Sequence, residues 1–214
     1  MVDTLSLHDA LPISLVSPAP LPEPFTPGPS YLATVLFAQG VQANLGWDPR
    51  SFSLARDLPA IDRVMNLNAD DPRIDPFVRR GGKLILYHGW DDPLVSAEST
   101  LGYFDALQVR FGARLPRSVR LFMVPGMDHC RGGPGADLLG GAGGDAPLTD
   151  PAHHLLSALE AWVERGNPPE TVIATRQEQG LTVRTRLLCA APARAVWDGR
   201  GNPDIAESYL CRKG

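Results

Sequence analysis

Two short apolar segments, separated by an amphipathic stretch, form the clearest pattern in the chain. Residues 83–87 read K-L-I-L-Y and residues 118–124 read S-V-R-L-F-M-V, which is typical of strands buried in a parallel sheet. Between them, apolar residues recur at helical spacing over residues 97–111, and Gly112 follows as a helix stop signal. Residues 83–124 therefore predict one βαβ unit and, with it, an α/β fold in which helices cover a parallel sheet.

Weaker patterns flank this unit on both sides. We predict helices over residues 31–43, 57–66 and 153–165, a helical turn around Ile74 and Phe77, and extended segments over residues 171–175 and 181–188 that could form a hairpin at Gln179–Gly180. Six prolines between residues 15 and 30 exclude a regular helix or a central strand there. Residues 131–150 are rich in glycine and predict a long mobile loop.

The beginning of the chain does not lead into a fold. Residues 1–14 lack a positively charged start, and Asp3, His8 and Asp9 interrupt their apolar residues, so they make a poor signal peptide. The string S-L-H-D-A-L-P-I-S within them looks like translated adaptor sequence. We therefore predict that residues 1–14 are not native, and we leave them out of the fold.

Composition restricts the class of protein. Of the 214 residues, 43% are hydrophobic and 21% are charged, as in soluble globular proteins, and the formal net charge is -4 at pH 7. No basic patch is available to neutralise phosphates, which argues against nucleic acid as a partner. No run of about 18 apolar residues occurs, so we predict no membrane-spanning helix.

The three cysteines are Cys130, Cys189 and Cys211. An odd number fits either a free thiol or a bridge whose partner lies outside the chain. Cys189 and Cys211 enclose a short loop in the C-terminal tail. A disulfide between them would be typical of an extracellular protein. Two reduced thiols in a cytosolic protein fit the spacing equally well.

Reactive residues follow each of the two predicted strands. His88–Val95 reads H-G-W-D-D-P-L-V after the first strand, and Pro125–Cys130 reads P-G-M-D-H-C after the second. In parallel α/β sheets, active groups lie on loops at the carboxyl ends of strands. His129 can act as a general base near neutral pH, and Asp92 can accept a hydrogen bond from its other ring nitrogen. An acid followed by a histidine is the order of the α/β-hydrolase triad.

We do not favour a catalytic role for the other polar residues of these loops. Asp91 is the less favoured choice for the acid, because the hydrolase pattern places the acid two residues before the L-V pair. We expect His88 to be a structural residue at the strand end, and Asp128 to shape the turn that holds the histidine. His153 and His154 stand together at a helix start without a third ligand, so we predict surface residues and no metal site.

Long motifs around these loops resemble one known family. The segment G-G-K-L-I-L-Y-H-G-W-D-D-P-L-V, followed by V-P-G-M-D-H-C-R-G-G-P-G, is similar to the C-terminal half of the tannase and feruloyl esterase family. The likeness runs from about Asp70 to Cys211, through E-A-W-V-E-R-G-N-P-P and W-D-G-R-G-N-P-D. The resemblance implies the C-terminal part of an α/β-hydrolase fold with a mostly parallel sheet.

The resemblance also implies how the chain is organised. Residues 15–75 would hold a linker and the end of the lid in which the family builds its aromatic substrate pocket. Residues 76–214 would form the C-terminal part of the hydrolase domain. The structural calcium of the family would lie in the missing lid, and no cofactor is expected within this chain.

For the chemistry, the resemblance implies a carboxylic ester hydrolase that cleaves aromatic esters, such as galloyl or feruloyl esters, by a Ser-His-Asp mechanism. Asp92 and His129 would be the acid and the base. The family bridges a cysteine beside its serine to the cysteine after its histidine, so the partner of Cys130 would lie outside this chain. The pair Cys189–Cys211 matches a bridge of the family's tail, and the protein would be secreted or periplasmic.

One departure from the family pattern is large. Neither G-x-S-x-G nor G-x-C-S occurs in the 214 residues, and Ser96 and Ser99 follow the acid and cannot take the nucleophile's place in this order. We therefore expect a truncated, inactive hydrolase whose partner would be a small aromatic ester. Another α/β-hydrolase, such as a peptidase or thioesterase, and a non-catalytic hydrolase-like domain remain open as alternatives.

Overall fold

The fold is taken from a computed structural model, which describes residues 48, 51–64, 69–141 and 146–213. The chain divides into two compact units, residues 1–71 and 72–214. The helix predicted over residues 31–43, and the residues 1–14 that we predict to be non-native, lie outside the described residues.

Helix α1 (Leu54–Val64) belongs to the first unit and the other elements belong to the second. Helix α1 begins before the predicted residue 57, because the carboxylate of Asp57 accepts a hydrogen bond from the Ser53 N–H at 2.8 Å and satisfies a free donor at the helix start. In chain order the elements are α1 (Leu54–Val64), α2 (Asp75–Arg79), β1 (Leu84–Gly89), α3 (Ala97–Phe111), a 3₁₀ helix (Gly112–Arg117), β2 (Val119–Val124), α4 (Leu155–Arg165), β3 (Thr171–Glu178), β4 (Leu181–Cys189), β5 (Ala193–Trp197), a second 3₁₀ helix (Ala206–Ser208) and β6 (Tyr209–Lys213).

The predicted βαβ unit is confirmed. Strands β1 and β2 pair in parallel, and helix α3 connects them. The Ser96 side chain caps the start of α3, and Gly112 stands beyond its end with a φ of 53°. At the carboxyl ends of the strands, Gly89 lies opposite Val124. Both strands therefore end at the same edge, and the loops that follow them begin side by side.

Apolar side chains cover both faces of this strand pair, because alternate residues of a strand point to opposite faces. One face packs under helix α3, in a cluster whose buried members are Phe104, Leu107, Phe111, Leu115, Val119 and Leu121. The other face packs against α4, β3 and β4, in a cluster whose buried members are Phe122, Val124, Met127, Ala136, Leu139, Leu155, Val172, Ala174, Leu188 and Ala190. Met127 belongs to the second cluster and is two residues before His129, so the core holds the histidine's loop.

The two strand pairs that follow helix α4 are antiparallel. Strands β3 and β4 form the hairpin that the sequence suggested, with φ values of 52° at Gln179 and 80° at Gly180. A two-residue turn with both φ values positive matches the right-handed twist of a hairpin. Strands β5 and β6 pair across the tail, and the Cys189–Cys211 disulfide joins the end of β4 to β6. The sequence had predicted only a wrapping tail there.

Removal of this disulfide is expected to lower the free energy of unfolding by about 3 kcal/mol, because the bond closes a loop in the unfolded chain. The bonded residues are 22 positions apart. Urea unfolding of a C189A/C211A double variant, compared with the wild type, measures the effect. The matched control is C130A, because Cys130 is a free cysteine in this structure. An unchanged unfolding midpoint in the double variant would contradict the prediction.

Candidate active site

Two loops leave the same edge of the strand pair and are joined by their backbones. The acid loop, residues 90–96, follows β1, and the histidine loop, residues 125–130, follows β2. The N–H of Trp90 donates to the carbonyl of Val124 at 3.0 Å, and the N–H of Asp91 donates to the carbonyl of Met127 at 3.1 Å. These bonds hold the two loops at a fixed separation, which preorganises the side chains that they carry.

The structure brings the two predicted site residues into direct contact. Nδ1 of His129 lies 2.8 Å from Oδ2 of Asp92, at hydrogen-bond distance. The Asp92 side chain is only 3% exposed, whereas the His129 side chain is 48% exposed. Nε2 of His129 makes no hydrogen bond to any other described residue. The pair therefore has a buried carboxylate that orients an imidazole whose second nitrogen is open to a substrate or a nucleophile.

Burial and hydrogen bonds act on the Asp92 carboxyl in opposite directions. Burial alone would raise the pKa of Asp92, but the hydrogen bonds from Val95 N–H, His129 and Leu94 N–H together hold that pKa below its ordinary value. The two backbone donors reach Oδ1 at 3.0 Å and 2.8 Å. Oδ1 therefore fixes the acid loop, and Oδ2 is left for the histidine.

Acid is expected to weaken the fold through Asp92. A carboxyl whose folded pKa lies below its ordinary value of 3.8 contributes stability that is complete above that value and is lost as the pH falls through the lower folded value. Urea unfolding of wild type and D92N across this range measures the contribution. D92N should be less stable at neutral pH and lose less stability in acid. Equal losses in the two proteins would contradict the prediction.

The neighbouring acids play other parts. The side chain of Asp91 is exposed to solvent. Its backbone N–H donates to the carbonyl of Met127, and the carboxylate that contacts His129 is that of Asp92. The N–H of Asp128 donates to the carbonyl of Gly132 at 3.3 Å, which closes the turn around the histidine. Within the same turn Cys130 has a left-handed backbone conformation, with a φ of 66°.

His88 lies closer to the site than the sequence indicated. Its side chain is 11% exposed, and its Nε2 lies 3.3 Å from Oδ2 of Asp92. Two imidazoles therefore face one carboxylate. The signal that could have revealed this contact is the four-residue spacing between a histidine near the end of a strand and an acid in the turn that follows.

Arginines of the β3–β4 hairpin anchor the glycine-rich segment that follows the histidine loop. Arg176 donates to the carbonyl of Gly135 at 3.1 Å, and Arg184 donates to the carbonyl of Pro134 at 2.9 Å. The N–H of Gly135 in turn donates to the carbonyl of Gly126 at 2.7 Å. The mobile loop predicted from the glycines is thus wrong for this part of the segment, because side chains distant in sequence hold its backbone.

Residues 40–212 match the family model described as "Tannase and feruloyl esterase". The chain belongs to the tannase and feruloyl esterase family.

Relatives within this family include two bacterial proteins. The chain is 33% identical over 213 residues to the "Uncharacterized esterase XCC2094" of Xanthomonas campestris pv. campestris, a match covering 86% of this chain and 37% of that protein. It is 39% identical over 141 residues to the "Mono(2-hydroxyethyl) terephthalate hydrolase" of Piscinibacter sakaiensis, a match covering 63% of this chain and 20% of that protein. The chain therefore spans well under half the length of these curated relatives.

Two solved esterase structures have the same fold as this chain. An esterase from Aspergillus oryzae superposes with a TM-score of 0.74 at 30% identity, covering 83% of this chain and 36% of that one. Feruloyl esterase B from the same organism superposes with a TM-score of 0.76 at 25% identity, covering 84% of this chain and 37% of that one. The predicted fold class, part of an α/β-hydrolase fold, is confirmed.

The remaining histidines have structural contacts. His153 and His154 are partly exposed, and each makes a local contact. Nδ1 of His153 lies 2.8 Å from Oδ2 of Asp150, and Nδ1 of His154 accepts the Ser157 N–H at 3.2 Å as the N-cap of helix α4. No three His, Cys, Asp or Glu side chains cluster as a metal site among the described residues. None of these residues is therefore assigned to the calcium that the family resemblance implies.

The cysteines agree with part of the family pattern. Cys189 and Cys211 are bonded, which confirms the pair expected from the resemblance, and Cys130 is free within this structure. That Cys130 bridges to a cysteine outside this chain stays a prediction. Across the part of the chain that the structure describes, no helix has the length and apolar character needed to cross a membrane.

Substitution of Gly89 by alanine is expected to separate the two loops and destabilise the protein by about 3 kcal/mol. A Cβ at Gly89 would lie 2.0 Å from the carbonyl oxygen of Met127 and 2.6 Å from that of Asp128. Thermal unfolding measures the effect. The control is G102A in helix α3, where an added Cβ meets nothing within 4 Å. If G89A is as stable as G102A, the loops are not in the contact described.

Proposed function

We propose that this chain supplies the acid and the base of a carboxylic ester hydrolase that cleaves aromatic esters by a Ser-His-Asp mechanism. The observation that carries the proposal is the contact between Nδ1 of His129 and Oδ2 of Asp92 at 2.8 Å, which leaves Nε2 without a hydrogen bond to any other described residue. Family membership supports the same conclusion, since its model is described by tannase and feruloyl esterase and the relatives are esterases by name.

In this mechanism the nucleophile is a serine outside the present sequence. His129 takes the serine's proton on Nε2 while the serine oxygen attacks the ester carbonyl. The imidazolium then gives that proton to the departing alcohol, and an acyl-enzyme is left. Water attacks the acyl group in the second half, with His129 again as base, and the acid product and free serine result. Asp92 holds Nδ1–H in place and stabilises the positive ring in both halves.

The substrate is proposed to be a small ester of an aromatic acid, such as a galloyl or feruloyl ester. Probable feruloyl esterases of Aspergillus are among the relatives, and the relative from Piscinibacter is named for a terephthalate ester. The Cys189–Cys211 disulfide supports a secreted or periplasmic location, because such bonds persist in oxidising compartments. Neither a nucleic acid nor a membrane is proposed as a partner.

A joined enzyme tests the proposal. It consists of the part of the Xanthomonas relative that precedes the matched segment, followed by residues 15–214 of this chain. We expect the joined enzyme to hydrolyse a nitrophenyl ester and methyl ferulate, and to react with a fluorophosphonate that labels activated serines. The present chain alone should do neither.

Circular dichroism must first show that the joined enzyme is folded, with the intact Xanthomonas relative as the positive control. A folded joined enzyme that neither hydrolyses the esters nor takes up the label would refute the proposal. Ester hydrolysis by the present chain alone would refute the claim that its nucleophile lies elsewhere.

A further inference from the structure

His88 connects three elements of the site through a ring that is almost completely enclosed. It lies next to the end of strand β1, and its side chain is 11% exposed. Nδ1 lies 2.7 Å from Oγ1 of Thr100, in helix α3. Nε2 lies 3.1 Å from the carbonyl oxygen of Val95 and 3.3 Å from Oδ2 of Asp92, both in the acid loop. Both ring nitrogens are therefore occupied by neighbours.

These neighbours determine where the hydrogen of the ring lies. A carbonyl oxygen and an ionised carboxylate can only accept hydrogen bonds, so Nε2 of His88 must carry a hydrogen. Nδ1 is then a lone-pair acceptor in the neutral ring, and the Thr100 hydroxyl can donate to it. His88 is thus a donor towards the acid loop, with its tautomer set by the acceptors at Nε2 and accommodated by Thr100 at Nδ1.

The Nε2–H group of His88 faces both the backbone and the side chain of the acid loop. Val95 is held from both sides, because its N–H donates to Oδ1 of Asp92 at 3.0 Å and its carbonyl oxygen faces His88. Oδ2 of Asp92 receives His129 at 2.8 Å and faces Nε2 of His88 at 3.3 Å. Oδ2, on whose position the orientation of His129 depends, is therefore contacted by both imidazoles.

We propose that His88 is a positioning residue, which acts through Asp92 to keep the His129 imidazole in the tautomer with hydrogen on Nδ1. It is not a second base, because neither of its nitrogens is open. The contribution of His88 to catalysis rests on the function proposed above. The effect of His88 on the tautomer of His129 does not depend on that function. Residues that hydrogen-bond to the partner of a ligand or base commonly fix the orientation and the tautomer of that ligand or base.

The test measures the tautomers of His88 and His129 directly in the present full chain. Long-range ¹H–¹⁵N correlation spectra at a pH of about 8.5, where an ordinary imidazole is neutral, distinguish a protonated ring nitrogen from a lone-pair nitrogen. In the wild type, His88 should carry its hydrogen on Nε2 and His129 should carry its hydrogen on Nδ1. The reverse tautomer at His88 overturns the inference without any variant.

Variants separate positioning from packing. H88F fills the same space without a donor, and the Nε2–H tautomer of His129 should grow about five-fold, as expected for the loss of one hydrogen bond. H88Q retains a donor near the position of Nε2 and should restore most of the wild-type tautomer. T100V removes only the hydroxyl at Nδ1 and should leave the hydrogen of His88 on Nε2, because the acceptors Val95 and Asp92 set that tautomer. The control is H153F, which breaks a His–Asp contact elsewhere in the chain.

The outcomes distinguish this inference from the proposed function. A His129 that responds to D92N but not to H88F overturns the role of His88 and leaves the acid–base pair intact. A His129 that responds to neither overturns the contact on which both claims rest. If H88F fails to fold, the H88Q and T100V spectra and the wild-type tautomer of His88 still decide the matter.

Discussion

Replacing His129 by alanine in the joined enzyme is expected to lower kcat by about 10⁴- to 10⁶-fold, because the proposed base that takes the proton of the serine is lost. The open Nε2 is the only nitrogen of the pair that can face a nucleophile, since Nδ1 is engaged by Asp92 at 2.8 Å. The KM for methyl ferulate should change little, as the imidazole acts mainly in the transition state. Steady-state kinetics on the purified, folded variant measure both constants.

The control for this variant is H153A. His153 also contacts a carboxylate, with Nδ1 at 2.8 Å from Oδ2 of Asp150, but it lies before helix α4 and outside the two loops. H153A should retain nearly full activity. If H129A kept more than about one hundredth of the wild-type kcat, His129 could not be the general base, because general bases contribute about 10²-fold or more.

Replacing Asp92 by asparagine is expected to lower kcat by about 10⁴-fold while the fold is retained. An amide of nearly the same shape can present an N–H towards Nδ1 of His129, which favours the tautomer with hydrogen on Nε2. The base would then carry a hydrogen where it needs a lone pair. The two backbone donors to Oδ1, at 2.8 Å and 3.0 Å, can still be accepted by the amide oxygen.

The matched control for D92N is D91N, one residue earlier in the acid loop, where the side chain is exposed. D91N should leave kcat within about three-fold of the wild type, as substitutions at exposed positions usually have small effects. Equal losses in D91N and D92N would show that charge near the loop matters and that the Asp92–His129 contact does not. Loss in D91N alone would transfer the role of acid to Asp91.

The parts of this site that could be predicted from sequence depend on local pattern and chain order. The apolar segments that became β1 and β2, with helix α3 between them, predicted a parallel pair, and parallel pairing places the following loops together. Asp92 and His129 were then the acid and histidine in the right order. Their contact follows from topology rather than from any detail of the loops.

The parts that sequence could not predict depend on side chains that reach distant backbone. Nothing local to Arg176 and Arg184 indicates that they bind carbonyls of the segment after the histidine loop. The short strands β5 and β6 form only when the tail folds back on itself, and their patterns are too brief to be recognised. The contact of His88 with Asp92 depends on the course of the acid loop, which the four-residue spacing between the two side chains does not define by itself.

The most direct measurement is the ¹⁵N spectrum of the His129 ring in wild type and D92N, recorded on this chain with the imidazole neutral. We expect a hydrogen on Nδ1 and a lone pair on Nε2 in the wild type, and a shift of the hydrogen towards Nε2 in D92N. A wild-type ring with the tautomer mixture of a free imidazole, unchanged by D92N, would show that Asp92 does not orient His129.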